Sequence, residues 1–476
     1  MLSFWRERRT RNLENRYRYK NILNEEESVD AFQASVPITE YNDFHDNWLK
    51  DCLDGKRDII WPGRIRHYAL SSGTTGSPSK RIPVTINMIR SFQKTTIKQL
   101  TILHELELTE EFYQAGILIV GGSTKLVKHE THIEGDLSGI LKKYTNPVVT
   151  PFTKPGHKIT KLQNWEEKLE LMVEKAPEWN IGVVAGVPTW CIFLIEKIIE
   201  RYQLKSIHEI WPNFHVYMHG GVFMKPYLPR INKVLGDKVH YLDTYLASEG
   251  YFAYQAATDR EGMELLLNNG IFFEFIPFNS DYFTDDGSLR NPHQAFTLNE
   301  VEEGVDYAIV ISTNAGLWRC MIGDLVRFVD KDNYEIIITG RIRQFVSLVG
   351  EHLSLDNINN AIQYVGELYS SDLSEFCLYA DGDELRHYWF LGSSGDLNEE
   401  EVMKSIDKEI CNLNDDYASS RKYNLKDPVL KIMPNETFYE FMSSIGKSGA
   451  QNKFPRVLNG NQTKLWMDFL SSKNLL

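Results

Sequence analysis

The sequence predicts an α/β protein. We expect a large amino-terminal domain of mostly parallel sheets with helices plus a β-rich subdomain, followed by a small α+β carboxy-terminal domain. Short apolar runs alternate with helix-length segments through the first half of the chain, a pattern typical of parallel sheets covered by helices. Aromatic-rich runs separated by turns follow beyond Gly250. The length of 476 residues also exceeds what one hydrophobic core usually supports.

The first half of the chain justifies the parallel part of this prediction. The charged opening segment has Phe4, Trp5, Leu13 and Tyr17 at the spacing of one helical face. Thr85 can cap a long helix, which we expect to run to about Leu106. Apolar runs of the kind found in buried strands occupy residues 115–120, 181–186, 215–218 and 239–242. The helices predicted between them span 165–176 and 188–201.

The second half predicts a different architecture. Residues 270–276, 307–312 and 325–328 are aromatic or apolar strands with turns between them, which we interpret as a barrel-like subdomain. The Gly-Arg-Ile-Arg segment at 340–343 indicates a linker, so we place the domains at 1–340 and 341–476.

Charge and cysteine content exclude several functional classes. The net charge of -13 argues against a nucleic-acid partner, whose binding proteins are typically basic. The five cysteines are scattered without a C-x-x-C pair, so they suggest neither a disulfide framework nor a zinc site. No apolar run has the length of a membrane span or follows the basic start as in a signal peptide. We therefore expect a cytoplasmic protein with no membrane partner.

Residues 68–80 contain an apolar lead-in followed by a loop dense in glycine and hydroxyl groups. Glycine lets the backbone bring N–H groups close to an anion, and hydroxyls and a lysine add donors. The groups concerned are Ser71, Ser72, Gly73, Thr74, Thr75, Gly76 and Lys80. The spacing differs from a Walker loop, in which lysine directly follows the second glycine. Alone, the segment also fits a polar turn between strands.

Three further motifs contain groups suited to a nucleotide. Glu249 follows a predicted strand of the parallel sheet, at the edge where such sheets bind ligands, and could hold Mg²⁺ against phosphates. Asp324 follows Gly323 and could accept the hydroxyls of a ribose. Lys453 stands in a glycine-containing segment near the end. Taken singly, the three also fit a helix cap, a hairpin turn and a solvated lysine.

Taken together and in this order, the motifs resemble those of the acyl-adenylating enzymes. They are most similar to the GH3 auxin-responsive family of acyl acid amido synthetases, which plants and bacteria share. The matching segments are 71–76, 245–249, 318–324 and 451–456. Two departures are Trp318, where the family usually has tyrosine, and residues 340–354, which are more similar to bacterial members.

The resemblance implies a two-step reaction. ATP activates a carboxylic acid, such as an aryl or indole acid, as an acyl-adenylate, and an amine such as an amino acid then displaces AMP. The implied catalytic residues are Lys453 and the Mg²⁺ ligand Glu249. The implied ATP contacts are Ser71, Ser72, Gly73, Thr74, Thr75, Gly76, Lys80, Tyr245, Ser248, Asp324 and Arg341.

Three positions are implied as an acyl pocket, namely Trp190, His219 and Phe223. Packing in the core is an equally good interpretation of Trp190 and Phe223. Two other functions also fit the motifs. One is an acyl-CoA ligase that uses the same adenylate, and the other is a catalytically silent protein that binds nucleotide or acid.

Overall fold

A computed structural model describes most of the chain after the opening segment. The described residues are 29–71, 80–144, 150–221, 224, 227–258, 260–284, 287–342, 346, 348, 351, 353–395, 397–423, 425–447, 453–458 and 460–476. The helix predicted around Phe4 to Tyr17 lies outside these ranges. None of the helices within them is long and apolar enough to cross a membrane.

The described strands and helices are numbered in chain order. The strands are β1 His67–Leu70, β2 Arg81–Val84, β3 Gly116–Val120, β4 Val127–Lys128, β5 Ile133–Gly135, β6 Thr153–Lys154, β7 Ile181–Gly186, β8 Val216–Gly220, β9 His240–Ala247, β10 Gly250–Tyr254, β11 Met263–Leu265, β12 Ile271–Pro277, β13 Asp306–Thr313, β14 Cys320–Asp330, β15 Glu335–Arg341, β16 Phe376–Asp381, β17 Arg386–Gly392 and β18 Val429–Met433. The helices are α1 Val29–Ser35, α2 Tyr41–Phe44, α3 Lys50–Leu53, α4 Ile86–Leu100, α5 Glu110–Gln114, α6 Leu137–Lys143, α7 His157–Thr160, α8 Trp165–Lys175, α9 Pro188–Tyr202, α10 Leu228–Asn232, α11 Leu355–Leu368, α12 Glu399–Leu413, α13 Asp415–Tyr423, α14 Asn435–Ser444 and α15 Asn461–Ser472.

The predicted parallel sheet is confirmed. Strands β6, β3, β7, β8 and β9 are neighbours in that order, and each pair is parallel. Helices α8 and α9 pack their apolar faces on this sheet through residues such as Met172 and Ile195. Helix α9 begins at Pro188, as predicted, and ends where Gln203 takes a left-handed conformation. The carboxyl ends of β7, β8 and β9 therefore meet along one edge.

Helix α4 is shorter than predicted. Thr85 caps it by accepting a hydrogen bond from the Met88 N–H (3.2 Å). The α-helix ends at Leu100, and a 3₁₀ segment, Thr101–Glu105, continues in the same direction. Tightening of the last turn in this way is common at helix ends.

Among the described residues, the aromatic-rich strands do not close a separate barrel, so the barrel-like interpretation was wrong, whereas the β-rich character of this region is as predicted. They extend the parallel sheet into a single sheet of 11 strands in the order β12-β13-β14-β15-β11-β10-β9-β8-β7-β3-β6. Strand β9 is the junction, because it pairs in parallel with β8 and antiparallel with β10. A separate sheet of four strands, β2-β1-β5-β4, packs its buried residues in the same core as the antiparallel half.

The end of the chain forms an α+β unit, as predicted. Strands β16, β17 and β18 make a sheet of 3 strands. Leu378 and Trp389 contribute to a core on one face, while Cys377 and Phe390 contribute to another core on the other face. This alternation follows from the two-residue period of a strand. Gly340 and Arg341 at the predicted linker are the last residues of β15.

One ion pair lies wholly inside the large sheet. Arg319 and Glu274 are both 0% exposed, and Arg319 Nη2 is 2.9 Å from Glu274 Oε1. Arg319 Nη1 also donates to the carbonyl oxygens of Gln33 (2.7 Å) and Val36 (2.6 Å). The pair therefore joins β12, the start of β14 and the segment around α1.

We expect Glu274→Gln to lower the free energy of unfolding by about 3–5 kcal/mol, because it leaves a buried guanidinium without its counter-charge. Urea denaturation followed by tryptophan fluorescence measures this loss. The matched control is Asp306→Asn, which breaks the partly exposed pair with Arg327 (side chains 25% and 28% exposed). That change should lower the free energy of unfolding by about 1 kcal/mol or less. Equal losses in the two variants would contradict the prediction.

Candidate active site

The ends of the predicted phosphate loop are held by a hairpin. Strands β1 and β2 are antiparallel, with Leu70 opposite Arg81. The Ser71 N–H donates to the Lys80 carbonyl oxygen (3.0 Å), which closes the mouth of the loop. Lys80 Nζ lies 5.1 Å from the centre of the Tyr41 ring. The predicted contacts Ser72, Gly73, Thr74, Thr75 and Gly76 lie outside the described residues.

Asp324 is held from two sides. It lies opposite Arg341 in the β14–β15 ladder, and Arg341 Nε donates to its Oδ1 (2.6 Å). The Tyr245 hydroxyl, at the end of β9, donates to Oδ2 (2.7 Å). An ionised carboxylate can accept about four hydrogen bonds, so each oxygen keeps capacity for a ligand hydroxyl. Three predicted site residues thus form one cluster.

Glu249 stands in the tight turn between β9 and β10, beside Ser248. Burial raises the pKa of the Glu249 carboxyl, and the negative charge of Asp324 acts in the same direction. The positive charges of Arg341 and Lys80 oppose this rise. These electrostatic effects indicate that Asp324, Arg341 and Lys80 lie near Glu249, and we call the region around the four side chains the crevice. A bound cation there would favour the ionised form of Glu249.

Lys453 reaches the same crevice from the carboxy-terminal unit. Its ammonium donates a hydrogen bond to the Gly221 carbonyl oxygen, just beyond the end of β8. The side chain still contacts solvent, but the protein around it lowers the lysine pKa to about 8, and the positive charge of Arg341 adds to this effect. Asp324 acts in the opposite direction.

Backbone hydrogen bonds to β16 position the segment that contains Lys453. The Leu378 N–H of β16 donates to the Arg456 carbonyl (2.9 Å), and the Leu458 N–H donates to the Leu378 carbonyl (2.8 Å). Arg456 in turn donates to the Tyr227 hydroxyl (2.5 Å) of the large unit. The segment that holds Lys453 is therefore fixed to β16 on one side and to the large unit on the other.

A second polar contact joins the two units. Arg230 of α10 forms two hydrogen bonds with Glu196 (2.8 and 2.7 Å) and donates to the Tyr439 hydroxyl of α14 (2.6 Å). Sequence reasoning missed Arg230, Tyr227 and Tyr439, as well as Tyr41 beside Lys80. These partners are far apart in the chain, 209 positions for Arg230 and Tyr439, and no local motif identifies them.

The structure describes two of the three predicted acyl-pocket residues. Trp190 is buried in the core, with its ring 5.1 Å from Trp165 and 6.2 Å from Tyr439. His219 is also buried, which lowers its pKa to about 4, and its Nδ1 is 3.4 Å from Asp243 Oδ1. Phe223 lies outside the described residues. The acyl pocket stays a prediction, and the contacts of Trp190 fit core packing.

Family models match this chain along most of its length. The N-terminal domain of the GH3 family matches residues 6–121 and 122–240, its central domain matches 264–336, and its C-terminal domain matches 356–462. Among curated proteins, the jasmonoyl-L-amino acid synthetase GH3.5 of Oryza sativa subsp. japonica is 25% identical over 516 residues, which is 92% of this chain and 88% of that protein. The indole-3-acetic acid-amido synthetase GH3.4 of Arabidopsis thaliana is 28% identical over 56% of this chain, and the match spans only 48% of that relative.

Solved structures agree in fold. The GH3.15 acyl acid amido synthetase has a TM-score of 0.75 at 16% identity, covering 95% of this chain and 89% of that one. A 2-hydroxyisobutyryl-CoA ligase in the postadenylation state, in complex with 2-HIB-AMP, has a TM-score of 0.60 at 12% identity, covering 93% and 84%. At these identities the likeness concerns the fold alone.

The contact between Lys453 and Gly221 gives a geometric prediction. A Cβ on Gly221 would lie 2.9 Å from Lys453 Cε, so Gly221→Ala should displace the lysine. Labelling by an amine-reactive reagent near neutral pH, followed by peptide mass spectrometry, should then show Lys453 reacting several-fold more slowly, because the displaced side chain regains an ordinary lysine pKa and less of it is the reactive neutral amine. Gly304→Ala is the matched control, because Gly304 has a similar left-handed φ of 80° but nothing within 4 Å of the added atom. Both changes cost about 1–2 kcal/mol of backbone strain. Equal labelling of Lys453 in the two variants would contradict the contact.

Proposed function

Because this chain belongs to the GH3 family, we propose that it is an ATP-dependent acyl acid amido synthetase that joins a carboxylic acid to an amine through an acyl-adenylate. The curated relatives support an acid and an amino acid as the two substrates, since their names describe indole-3-acetic acid and jasmonoyl conjugates. An aryl or indole acid is the kind of acid substrate that we propose. Membership of the bacterial branch and a cytoplasmic location stay predictions.

The observation that supports the proposal most strongly is the shared crevice. Glu249, Asp324 and Lys453 come from three separate parts of the sequence, yet in the folded protein the charge of Asp324 acts on both Glu249 and Lys453. A carboxylate for a metal, a carboxylate for a ribose and a lysine for a phosphate are the groups that adenylate formation needs. Their meeting point lies at the carboxyl edge of the parallel strands, where open α/β sheets bind ligands.

The residues fit the first half-reaction as follows. Asp324, positioned by Tyr245 and Arg341, accepts the ribose hydroxyls of ATP. Lys80 and the predicted loop bind the phosphates. The acid attacks the α-phosphate as a carboxylate, which is already ionised at neutral pH and needs no base. Lys453 stabilises the negative charge that develops there as pyrophosphate leaves.

Mg²⁺ is the metal implied by this chemistry, and Glu249 is the residue that would hold it. Carboxylate oxygens are the ligands that Mg²⁺ prefers, and a cation would reverse the unfavourable effect of burial on this carboxylate. When bound, the ion neutralises charge on the phosphates.

The nearest alternative is an acyl-CoA ligase that uses the same adenylate. A silent nucleotide-binding protein is less well supported, because such a protein has no need of both Glu249 and Lys453. The test is to supply ATP and a panel of aryl and indole acids, and to compare AMP release with amino acids against coenzyme A. Amino-acid-dependent release with an amide product supports the proposal. Release with coenzyme A alone, or no acid-dependent pyrophosphate at all, rejects it.

We further propose that residues 341–476 form a small mobile domain that moves relative to residues 1–340 between the two half-reactions. Lys453→Ala should then slow adenylate formation by about 10²–10³, the usual effect of losing one group that stabilises transition-state charge. Amine attack on a supplied acyl-adenylate should change much less. The two half-reactions are measured separately beside a melting curve. An equal loss in both, together with a lower melting temperature, would mean that Lys453 acts only in folding.

The lowered pKa of Lys453 predicts a pH dependence. Because the pKa is lowered to about 8, we expect the ammonium to lose its charge as pH rises through that value in the free enzyme. We expect kcat/KM for ATP, which reports the free enzyme, to fall as pH rises through about 8. Pyrophosphate exchange without amine isolates this step from the titration of the second substrate. In Lys453→Arg the guanidinium stays charged, so the decline should disappear. A decline at the same pH in that variant would assign it to another group.

A further inference from the structure

A cluster of two histidines and a glutamate lies on the β4–β5 hairpin, apart from the side chains of the crevice. One ligand atom from each of His129, His132 and Glu134 lies within 4.8 Å of the others. The turn is closed by the His129 N–H, which donates to the His132 carbonyl (2.8 Å), and the two imidazole rings stack with centres 4.7 Å apart. Both rings thus face the same carboxylate.

The hydrogen bonds around His132 determine which of its nitrogens carries a proton. The Thr131 hydroxyl donates to the Leu53 carbonyl (2.7 Å), which uses its only hydrogen. Its 2.8 Å contact with His132 Nδ1 must therefore be an N–H donation from the imidazole. In the neutral ring, Nε2 then has a free lone pair. This atom is buried, has no hydrogen-bond partner, and lies 3.6 Å from Glu134 Oε2.

A lone pair that faces a carboxylate at this distance is unfavourable unless a metal ion lies between them or the imidazole takes up a second proton. The distance from His129 Nε2 to Glu134 Oε1 is 3.0 Å. Ligand atoms at the corners of a tetrahedral zinc site, with bonds of about 2.0–2.2 Å, are about 3.3–3.6 Å apart. The two observed distances, 3.0 and 3.6 Å, run to different oxygens of Glu134, and one ligand atom from each residue lies within 4.8 Å of the others, so small side-chain shifts would bring the three to this spacing around an ion.

We propose that His129, His132 and Glu134 form a binding site for a divalent transition metal ion, with Zn²⁺ as the best match. Two imidazole nitrogens and one carboxylate oxygen favour zinc and its neighbours over Mg²⁺, and a water molecule completes the fourth position. Arg81 Nε donates to Glu134 Oε2 (2.7 Å), so the carboxylate is oriented by a second partner, as is common for metal-binding carboxylates.

The position of the cluster indicates a structural role. Glu134 lies opposite Tyr68 in the parallel β1–β5 ladder, and Arg81 is the first residue of β2. Strands β1 and β2 are the two arms of the hairpin that holds the predicted phosphate loop. A metal ion at this site would join the β4–β5 turn to the sheet from which that loop projects.

The test uses the full-length chain without a histidine tag and Co²⁺ as the probe, in excess Mg²⁺ so that oxygen-rich sites are filled. We expect visible absorption typical of tetrahedral Co²⁺, saturating at one equivalent and displaced by Zn²⁺. Zn²⁺ should also raise the melting temperature. His129→Gln and His132→Gln should each lose both effects. His45→Gln is the control, because His45 also lies 3.0 Å from a carboxylate, that of Asp46, without a third ligand.

Two further measurements distinguish this site from the proposed Mg²⁺ ligand and from a failure of the variants to fold. Glu249→Gln should keep the full Co²⁺ spectrum, which separates this site from the proposed Mg²⁺ ligand and from the success of the proposed function. X-ray absorption of zinc-loaded wild-type protein should show two imidazole ligands, a result that does not depend on whether a variant folds. A missing cobalt band, an equal band in the His129 and His132 variants, or a zinc shell without imidazole would each overturn the proposal. The cluster would then be only an ion-pair network around Glu134.

Discussion

The buried ion pair between Arg319 and Glu274 is the constraint on which the large sheet depends. Removing two charges from water costs several kcal/mol each, so such a pair persists only when its remaining donors are also satisfied. Arg319 meets this condition through the carbonyls of Gln33, Val36 and His293. The pair thereby sets where β14 begins relative to β12. Since Asp324 stands a few residues further along β14, an interior interaction fixes the position of a crevice residue that it does not touch.

The crevice depends equally on how the carboxy-terminal unit meets the large one. Lys453 is a long, flexible side chain, and a charged group of this kind is useful only if its backbone is held in place. Arg456 provides this restraint by bonding to its own unit at Ser374 and Phe376 and to Tyr227 of the other unit. Arg230 and Tyr439 add a second junction. Aromatic contacts of Tyr439 with Trp190 and Phe193 accompany these polar contacts.

The resemblance to a known family implied that Tyr245, Asp324 and Arg341 contact one nucleotide. The sequence itself predicted the parallel strands and the α+β unit, because both depend on local periodicity. It did not predict that the aromatic-rich strands continue the main sheet, since the pairing of β9 with both β8 and β10 is a long-range choice that strand patterns leave open. The buried partner of Arg319 was missed for the same reason. The histidine cluster has a spacing that fits no familiar ligand pattern, and only the folded hairpin brings its side chains together.

The strands at the two edges of the large sheet limit aggregation of the protein at high concentration. An exposed strand edge can pair with the edge of another molecule and start aggregation. Here β6 at one end is only Thr153–Lys154, too short and too charged to act as a template. At the other end, β12 exchanges hydrogen bonds with Phe296, which covers part of its outer edge. A sheet of 11 strands is large for one protein. Because one edge strand is short and the other is partly covered, the sheet does not readily pair with an edge strand of a neighbouring molecule.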